Sequence, residues 1–358
     1  MAGGTSVQAR RAFSQTLMED LESSDSEQLK PLRKLNDGVA GYVFDLVPLR
    51  ATRVVPMKDT SEVLSDQAHG ALNSIMPSPD DHSHADDTAR LTTLLQASLD
   101  CLSPNTLRIV NSARSPHEIL RLIRDVGIDV FDAHWAQRAA DIGIVLDFRF
   151  PVPENPSVAS TNCPGPRTRH NGKLDLGHNL YDAQYAHDHS RLASSFLDAF
   201  SHQGGFVNNE ISGVRVCPCA ACSPARPADH LRHSSVDRLS FPIEPENSKT
   251  NLVQPPLKRS YLHHLLHTHE MSAHSLLVMH NLSVLDAFFD GVRKVIADVH
   301  RDYEQEVERF LNMYDEDMTV CDEAKLLWAQ VERARGKGRL TREKIKQAES
   351  SLGTSVEL

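Results

Sequence analysis

The stretch LRIVNSARSPHEILRLIRDVGIDVFD, residues 107–132, decides the fold class. LRIVN (107–111) and IDVFD (128–132) are short apolar runs rich in strand formers. Between them the apolar residues recur at three- and four-residue spacing, the period of a helix. Ser115 can cap that helix, Pro116 suits its first turn, Glu118 falls three residues after the cap, and Gly127 can end it. Strand, helix, strand in this length implies a right-handed crossover and a parallel sheet, so this part of the chain reads as α/β. Asp132 then ends a strand at its carboxyl side, where barrels and open α/β sheets place their active sites. An aspartate there also serves as a turn former or cap, and the residues alone leave both roles open.

Outward from this unit, AGYVFDL (40–46) reads as another strand, and 6–22, 60–75 and 89–101 read as helices. Residues 257–300 contain no proline and predict one long helix or two, and the tail from about 315 is helical. That tail runs from an acidic patch to a basic one at 333–346, the pattern of a solvated helix. Three polar segments, 76–90, 151–175 and 223–256, are rich in Pro, Ser, Asn and Asp and predict loop insertions. No apolar run reaches the roughly 18 residues of a spanning helix. The first residues, MAGGTSVQARRAFSQ, lack the apolar stretch of a signal peptide, which predicts a soluble, cytoplasmic protein. With 38 basic and 48 acidic residues, the formal charge of −10 gives no overall attraction for nucleic acid or anionic lipid.

In a reducing compartment six cysteines are weak evidence for disulfides. Cys217, Cys219 and Cys222 are then the notable group: three soft thiolates this close can take three corners of a tetrahedron around zinc. The fourth ligand is open, because His263, His264, His267, His269, His274 and His280 all lie downstream. His269-Glu270 with His274 does not make a metalloprotease pair. Its histidines are five residues apart, about 140° on a helix, instead of four.

Taken together, CPCAAC (217–222), RSYLHHLL (259–266), HEMSAHSLLVMHNL (269–282) and GIDVFD (127–132) resemble the queuine and archaeosine tRNA-ribosyltransferase family. The resemblance implies a zinc-containing TIM-barrel-like (β/α)8 fold that exchanges guanine in a tRNA for a 7-deazaguanine base. It implies that Cys217, Cys219, Cys222 and His280 hold one structural Zn2+, which selects His280 from the surplus of histidines. It also puts Asp132 at the position of the nucleophile that attacks the ribose C1′.

Around Asp132 the family pattern is changed. Catalytic members continue C-V-x-P-T-R where this chain has AHWAQR, retaining Arg138, and Asp45 and Leu46 stand where the family has two glycines that admit the purine. AGG at 2–4 and QARRAF at 8–13 resemble the middle of the family barrel. The resemblance thus implies an incomplete barrel lacking the N-terminal half, and with it the D-S-G-G-F segment that binds the base. The expected organisation is a partial barrel over 1–150, an insertion and last barrel segment over 151–216, a zinc-binding helical subdomain over 217–314 and a charged tail over 315–358. The pattern fits the family's non-catalytic accessory branch, which pairs with a catalytic subunit and meets tRNA through the complex. That branch would support exchange at the wobble guanine, position 34, of tRNAs with GUN anticodons, and would place the protein in the cytoplasm and, peripherally, on the mitochondrial outer membrane. Two alternatives stand beside it: a catalytically active transglycosylase using Asp132, and a zinc-containing RNA-binding module relying on 333–346.

Overall fold

The computed structural model describes residues 3–50, 84–153, 163–197, 214–224 and 255–333, with 200–201, 205–206, 210–211 and 343–344. The expected helix at 60–75 and most of the segments 223–256 and 333–346 lie outside these. The chain is divided into two compact units, Met1–Trp135 with Tyr303–Leu311 and Ala136–Asp302 with Asn312–Leu358.

In the first unit, strands β1 (Gly41–Asp45), β2 (Leu107–Asn111) and β3 (Val130–Phe131) form a parallel sheet in that order, Val43 facing Ile109 and Ile109 facing Val130. Alternation along β1 sends Tyr42 and Phe44 to one face, where they pack with Leu46, Val110, Leu91, Leu95, Leu122 and Val126 in a buried core. Helix α1 (Val7–Met18) starts at Ser6, whose hydroxyl accepts from the Ala9 N–H. Helix α2 (His84–Leu99) begins inside the polar segment 76–90, which reads as a loop on composition. Asp86 and Asp87 explain the difference: acidic residues in a first turn oppose the helix dipole favourably.

Helix α3 (Pro116–Val126) follows its sequence signals closely. Ser115 Oγ accepts from Glu118 N at 3.1 Å, Pro116 occupies the first turn, and Gly127 ends the helix at φ +72°, a conformation that strains any residue with a Cβ. Glu118 does not complete a capping box. Its carboxylate instead takes two hydrogen bonds from Arg50 Nη2 (2.6 and 2.7 Å) and one from the Arg114 N–H (2.7 Å). The Arg50–Glu118 pair is 6% exposed on each side and joins the turn after β1 to the start of α3.

In the second unit, β4 (Ile144–Leu146) pairs antiparallel with β5 (Gly177–Asn179). Among the described residues the parallel sheet has three strands and no closed barrel is formed; the fold is mixed α/β. Residues 257–300 form two helices, numbered here after α4 (His134–Asp141): α5 (Arg259–His267) and α6 (Met271–Ala297). His269 at φ +60° makes the break, with its N–H and that of Glu270 returning to the carbonyls of Leu266 and Leu265. On α6, Gly291 lies against the Phe150 carbonyl: an added Cβ would stand 1.8 Å from that oxygen. Part of 151–175 is less loop-like than its composition predicts. Cys163 is buried, and Arg169 bonds Asp175 at 2.6 Å and Glu323 at 2.6 Å, the latter on α8 (Thr319–Glu332), which follows α7 (Tyr303–Met313). No helix among the described residues is long and apolar enough to cross a membrane.

Candidate metal centre

Residues 217–224 form an irregular turn, and its hydrogen bonds are those of a chain wrapped around a point. Cys222 N donates to Cys219 Sγ at 3.3 Å, Ser223 N to the Cys219 carbonyl at 2.9 Å, and Ser223 Oγ to the Cys217 carbonyl at 2.7 Å. The three sulfurs converge on His280 from α6: Nδ1 lies 3.6, 3.7 and 3.3 Å from the sulfurs of Cys217, Cys219 and Cys222. All four residues are buried, and their ligand atoms lie within 4.8 Å of one another.

These distances test whether a metal fits. A tetrahedral zinc with bonds of about 2.3 Å to sulfur and about 2.0–2.1 Å to nitrogen sets S···N near 3.6 Å. The observed separations straddle that value, so the cluster can hold a tetrahedral ion without rearrangement.

Its electrostatics ask for a cation. Cys219 is held well below the ordinary thiol range by hydrogen bonds from Cys217 and Cys222, while Cys222 is pushed up by Cys217 and Cys219. His280, although burial disfavours its charge, is raised to about 10 by the sulfurs of Cys217 and Cys219. Sulfurs packed this closely cannot all ionise unless positive charge stands among them.

The second layer fixes the histidine. Nε2 of His280 donates to the Leu146 carbonyl at 3.0 Å, so a bound metal would take the place of a proton on Nδ1, the nitrogen that faces the sulfurs. Asn281, next in sequence, accepts from Leu146 N at 2.9 Å and donates to the carbonyls of Ala136 (3.1 Å) and Ile144 (3.0 Å). The His-Asn dipeptide therefore grips both polar groups of one β4 residue.

The cysteine arm is anchored on the same segment by groups that sequence reading missed. Asp147, directly after β4, accepts from Ser194 N (2.7 Å), Ser194 Oγ (2.8 Å), Ser195 N (2.7 Å) and His178 Nε2 (2.9 Å). Two residues on, Leu197 exchanges backbone hydrogen bonds with Arg215 and Cys217, both at 2.8 Å. Burial alone would raise Asp147, but the bonds from His178, Ser194 and Ser195 outweigh it and hold the carboxyl below its usual range.

Burial keeps His178 neutral, and it pushes the phenol of Tyr185, 3.1 Å from His178 Nδ1, up to about 12. A phenol that keeps its proton donates to Nδ1, so Nε2 carries the hydrogen that goes to Asp147. Arg259 Nη2, 2.9 Å from His178 Nε2, donates to the Pro164 carbonyl at 2.8 Å, and its Nη1 pairs with Asp188 at 3.3 Å. These partners are too far apart in sequence to leave a local pattern; only RSYLHHLL, which contains Arg259, drew notice.

The other histidines have separate duties. His263 Nδ1 meets the Leu180 carbonyl at 2.8 Å, His267 Nδ1 the His263 carbonyl at 2.8 Å, and His274 Nδ1 the Ala140 carbonyl at 3.2 Å; none of them, nor His264 or His269, belongs to the cluster.

Asp132, in the first unit, ends β3. Its Oδ2 accepts from Ser112 N at 2.7 Å, while Oδ1 is buried without a partner among the described residues. Ser112 sits at φ +68°, and its carbonyl accepts from Arg50 Nη1 at 2.8 Å. Leu46 is wholly buried in the core, and Asp45 Oδ1 accepts from Val47 N at 3.0 Å.

Residues 81–316, two thirds of the chain, match the family model described as queuine tRNA-ribosyltransferase. The chain belongs to that family. Within it, 205 residues are 24% identical to the queuine tRNA-ribosyltransferase accessory subunit 2 of Schizosaccharomyces pombe, covering 57% of this chain and 31% of that protein. The chain thus spans about a third of the length of the relative it matches. Both GIDVFD (127–132) and the Cys-Cys-Cys-His cluster fall within the residues that carry the queuine tRNA-ribosyltransferase match.

Proposed function

We propose that this chain is a non-catalytic accessory subunit of a queuine tRNA-ribosyltransferase, holding one structural Zn2+ on Cys217, Cys219, Cys222 and His280. In this reading it pairs with a catalytic subunit in the cytoplasm and meets tRNA through the complex, supporting exchange of the wobble guanine, position 34, in tRNAs with GUN anticodons. The similarity to an accessory subunit supports it. One observation carries it: the metal cluster is complete, whereas the residues at the family's catalytic position are engaged in structure.

Asp132 clamps the Ser112 N–H, and Leu46 fills the core where a glycine would admit a purine. Four protein ligands close the coordination sphere, so the ion would activate no water; it would tie the 217–222 turn to α6. The sheet β1–β3 is read as part of an incomplete (β/α)8 barrel over 1–150. Residues 151–216 would carry an insertion and the last barrel segment, 217–314 the zinc-binding helical subdomain, and 315–358 the charged tail.

The test is guanine exchange into tRNA by the chain alone, by a catalytic subunit alone, and by the two co-expressed. Activity only in the combined sample, with co-elution, supports the reading. Exchange by the chain alone would overturn it in favour of a transglycosylase acting through Asp132.

A further inference from the structure

Helix α5 sets two histidines one turn apart, His263 and His267. A four-residue interval puts side chains of a helix side by side, and it is the interval at which paired histidines take a metal. His269 and His274 miss that spacing; His263 and His267 meet it. Their imidazoles lie together, with ring centroids 4.1 Å apart and planes inclined at 39°. His263 is half-buried and His267 is exposed, so the pair is open to solvent.

Hydrogen bonds decide which nitrogens are available. His263 Nδ1 meets the Leu180 carbonyl and His267 Nδ1 the His263 carbonyl, both at 2.8 Å. A carbonyl can only accept, so each Nδ1 carries a hydrogen and each neutral ring keeps its lone pair on Nε2. The rings are also held in place. Leu262 and Leu266 are buried and fix α5 in the core, and Leu180 is wholly buried with its N–H on the Gly143 carbonyl at 2.9 Å. The buried Tyr181 packs edge-on against the His267 ring, centroids 5.7 Å apart. Gly143, at φ +78°, makes room for it: an added Cβ would stand 2.5 Å from the Tyr181 ring. Burial keeps His263 below its ordinary pKa, and the neighbouring His267 adds to that, so the ring is neutral when a cation arrives. Asp182, whose negative charge bears on His263, favours that cation.

We propose that His263 and His267 form a second, open binding site, separate from the cysteine cluster, for a divalent transition-metal ion of the zinc, copper or nickel class. Neutral imidazole nitrogens suit these ions. Bonds of about 2.0–2.1 Å in a tetrahedron set the two nitrogens about 3.3 Å apart, which rings at this separation reach by a small tilt. Among the described residues the cysteine cluster is the one group of three or more ligands within reach of one another. The pair therefore offers two protein ligands and leaves the rest of the sphere to water. Such an ion exchanges with solvent, whereas one enclosed by three sulfurs and His280 does not.

Isothermal titration of Zn2+ into the full chain, first saturated with zinc and then freed of loosely held metal by gel filtration, tests this. The expected result is one further ion per chain, bound with micromolar affinity and lost on a second gel filtration. His263→Asn and His267→Gln should each weaken that ion by about tenfold or more, since each removes one of two ligands. An amide at 263 can still donate to the Leu180 carbonyl, so the turn there is kept. His264→Ala, at an exposed neighbour outside the pair, should leave the affinity unchanged. Circular dichroism and the tightly held metal should match the original chain in all three variants. No binding beyond the tightly held ion, or a further ion that His263→Asn and His267→Gln leave equally tight, would overturn the proposal.

Discussion

The carboxylate after β3 and the carboxylate after β4 occupy equivalent places, each at the carboxyl end of a short strand, and they do different things. Among the described residues Asp132 accepts one hydrogen bond, from Ser112 N, and its other oxygen has no partner. Asp147 is saturated by two backbone N–H groups, a hydroxyl and an imidazole, and through residues 194–197 it steadies the arm that carries Cys217. A strand-end aspartate is thus not a site by position. What distinguishes the two is the layer behind them: Ser194 and Ser195, which donate to Asp147, lead into the segment bonded to the cysteine turn, whereas Asp132 accepts from a turn residue, Ser112.

The sharpest way to break this contrast is at the cluster itself. Cys222→Ser should reduce bound metal from one per chain to almost none and remove cooperative unfolding of the helices around α6, read by metal analysis and by calorimetry. Structural zinc contributes about 10–16 kcal/mol in small finger peptides, comparable with the whole stability of an ordinary domain. Chelation of the unmodified chain should reproduce the effect. A variant that kept its metal and its melting transition would remove the cluster from the architecture.

Next come the buried charges. Asp147→Asn turns an amide NH2 toward groups that themselves donate, from Ser194, Ser195 and His178, and should cost about 1–3 kcal/mol for each buried donor left without an acceptor, with bound metal weakened because the 194–197 segment loosens. Glu118→Gln, in the first unit, breaks the buried pair with Arg50 and should cost about 3–5 kcal/mol while leaving metal content unchanged. Denaturant unfolding with metal analysis on both variants separates the two; loss of metal in Glu118→Gln would show that the first unit also supports the cluster.

Acidification should act on the Asp147 network before most surface groups. His178 is depressed by burial, so in the folded state it binds fewer protons than the unfolded chain. Its contribution is full above the unfolded value of about 6.5 and is lost as the pH falls below it. Asp147, depressed by its hydrogen bonds, adds stability above about 3.9 that disappears at lower pH. Thermal unfolding at saturating zinc should therefore weaken from about pH 6.5 downward, and stability that rose on acidification would show that the network is not held as described.

How much of this was legible depended on sequence distance. The α3 unit could be read almost residue by residue, because caps, periodicity and Gly127 are all local signals. The three cysteines were equally plain, but nothing in spacing distinguishes His280 from its neighbours; only the family resemblance did. Asp147, His178 and Arg259 were invisible because each answers to partners dozens of residues away. Glu118 misled for the same reason: the local capping partner lost to the distant Arg50. The break at His269 was also hidden, since a left-handed histidine has no signature in composition.

The smallest effect expected is the most informative for function. Asp132→Asn keeps an oxygen that can accept from Ser112 N, so stability should change by no more than about 1 kcal/mol. In the complex with a catalytic subunit, base exchange should be unaltered, because the group here orders a turn. An amide cannot form the covalent link to ribose C1′ that a carboxylate nucleophile forms, so a catalytic Asp132 would reveal itself as a fall of several orders of magnitude in kcat. The comparison between the two carboxylates rests on that difference: both variants replace an aspartate at a strand end, and only the one behind β4 should be felt by the protein.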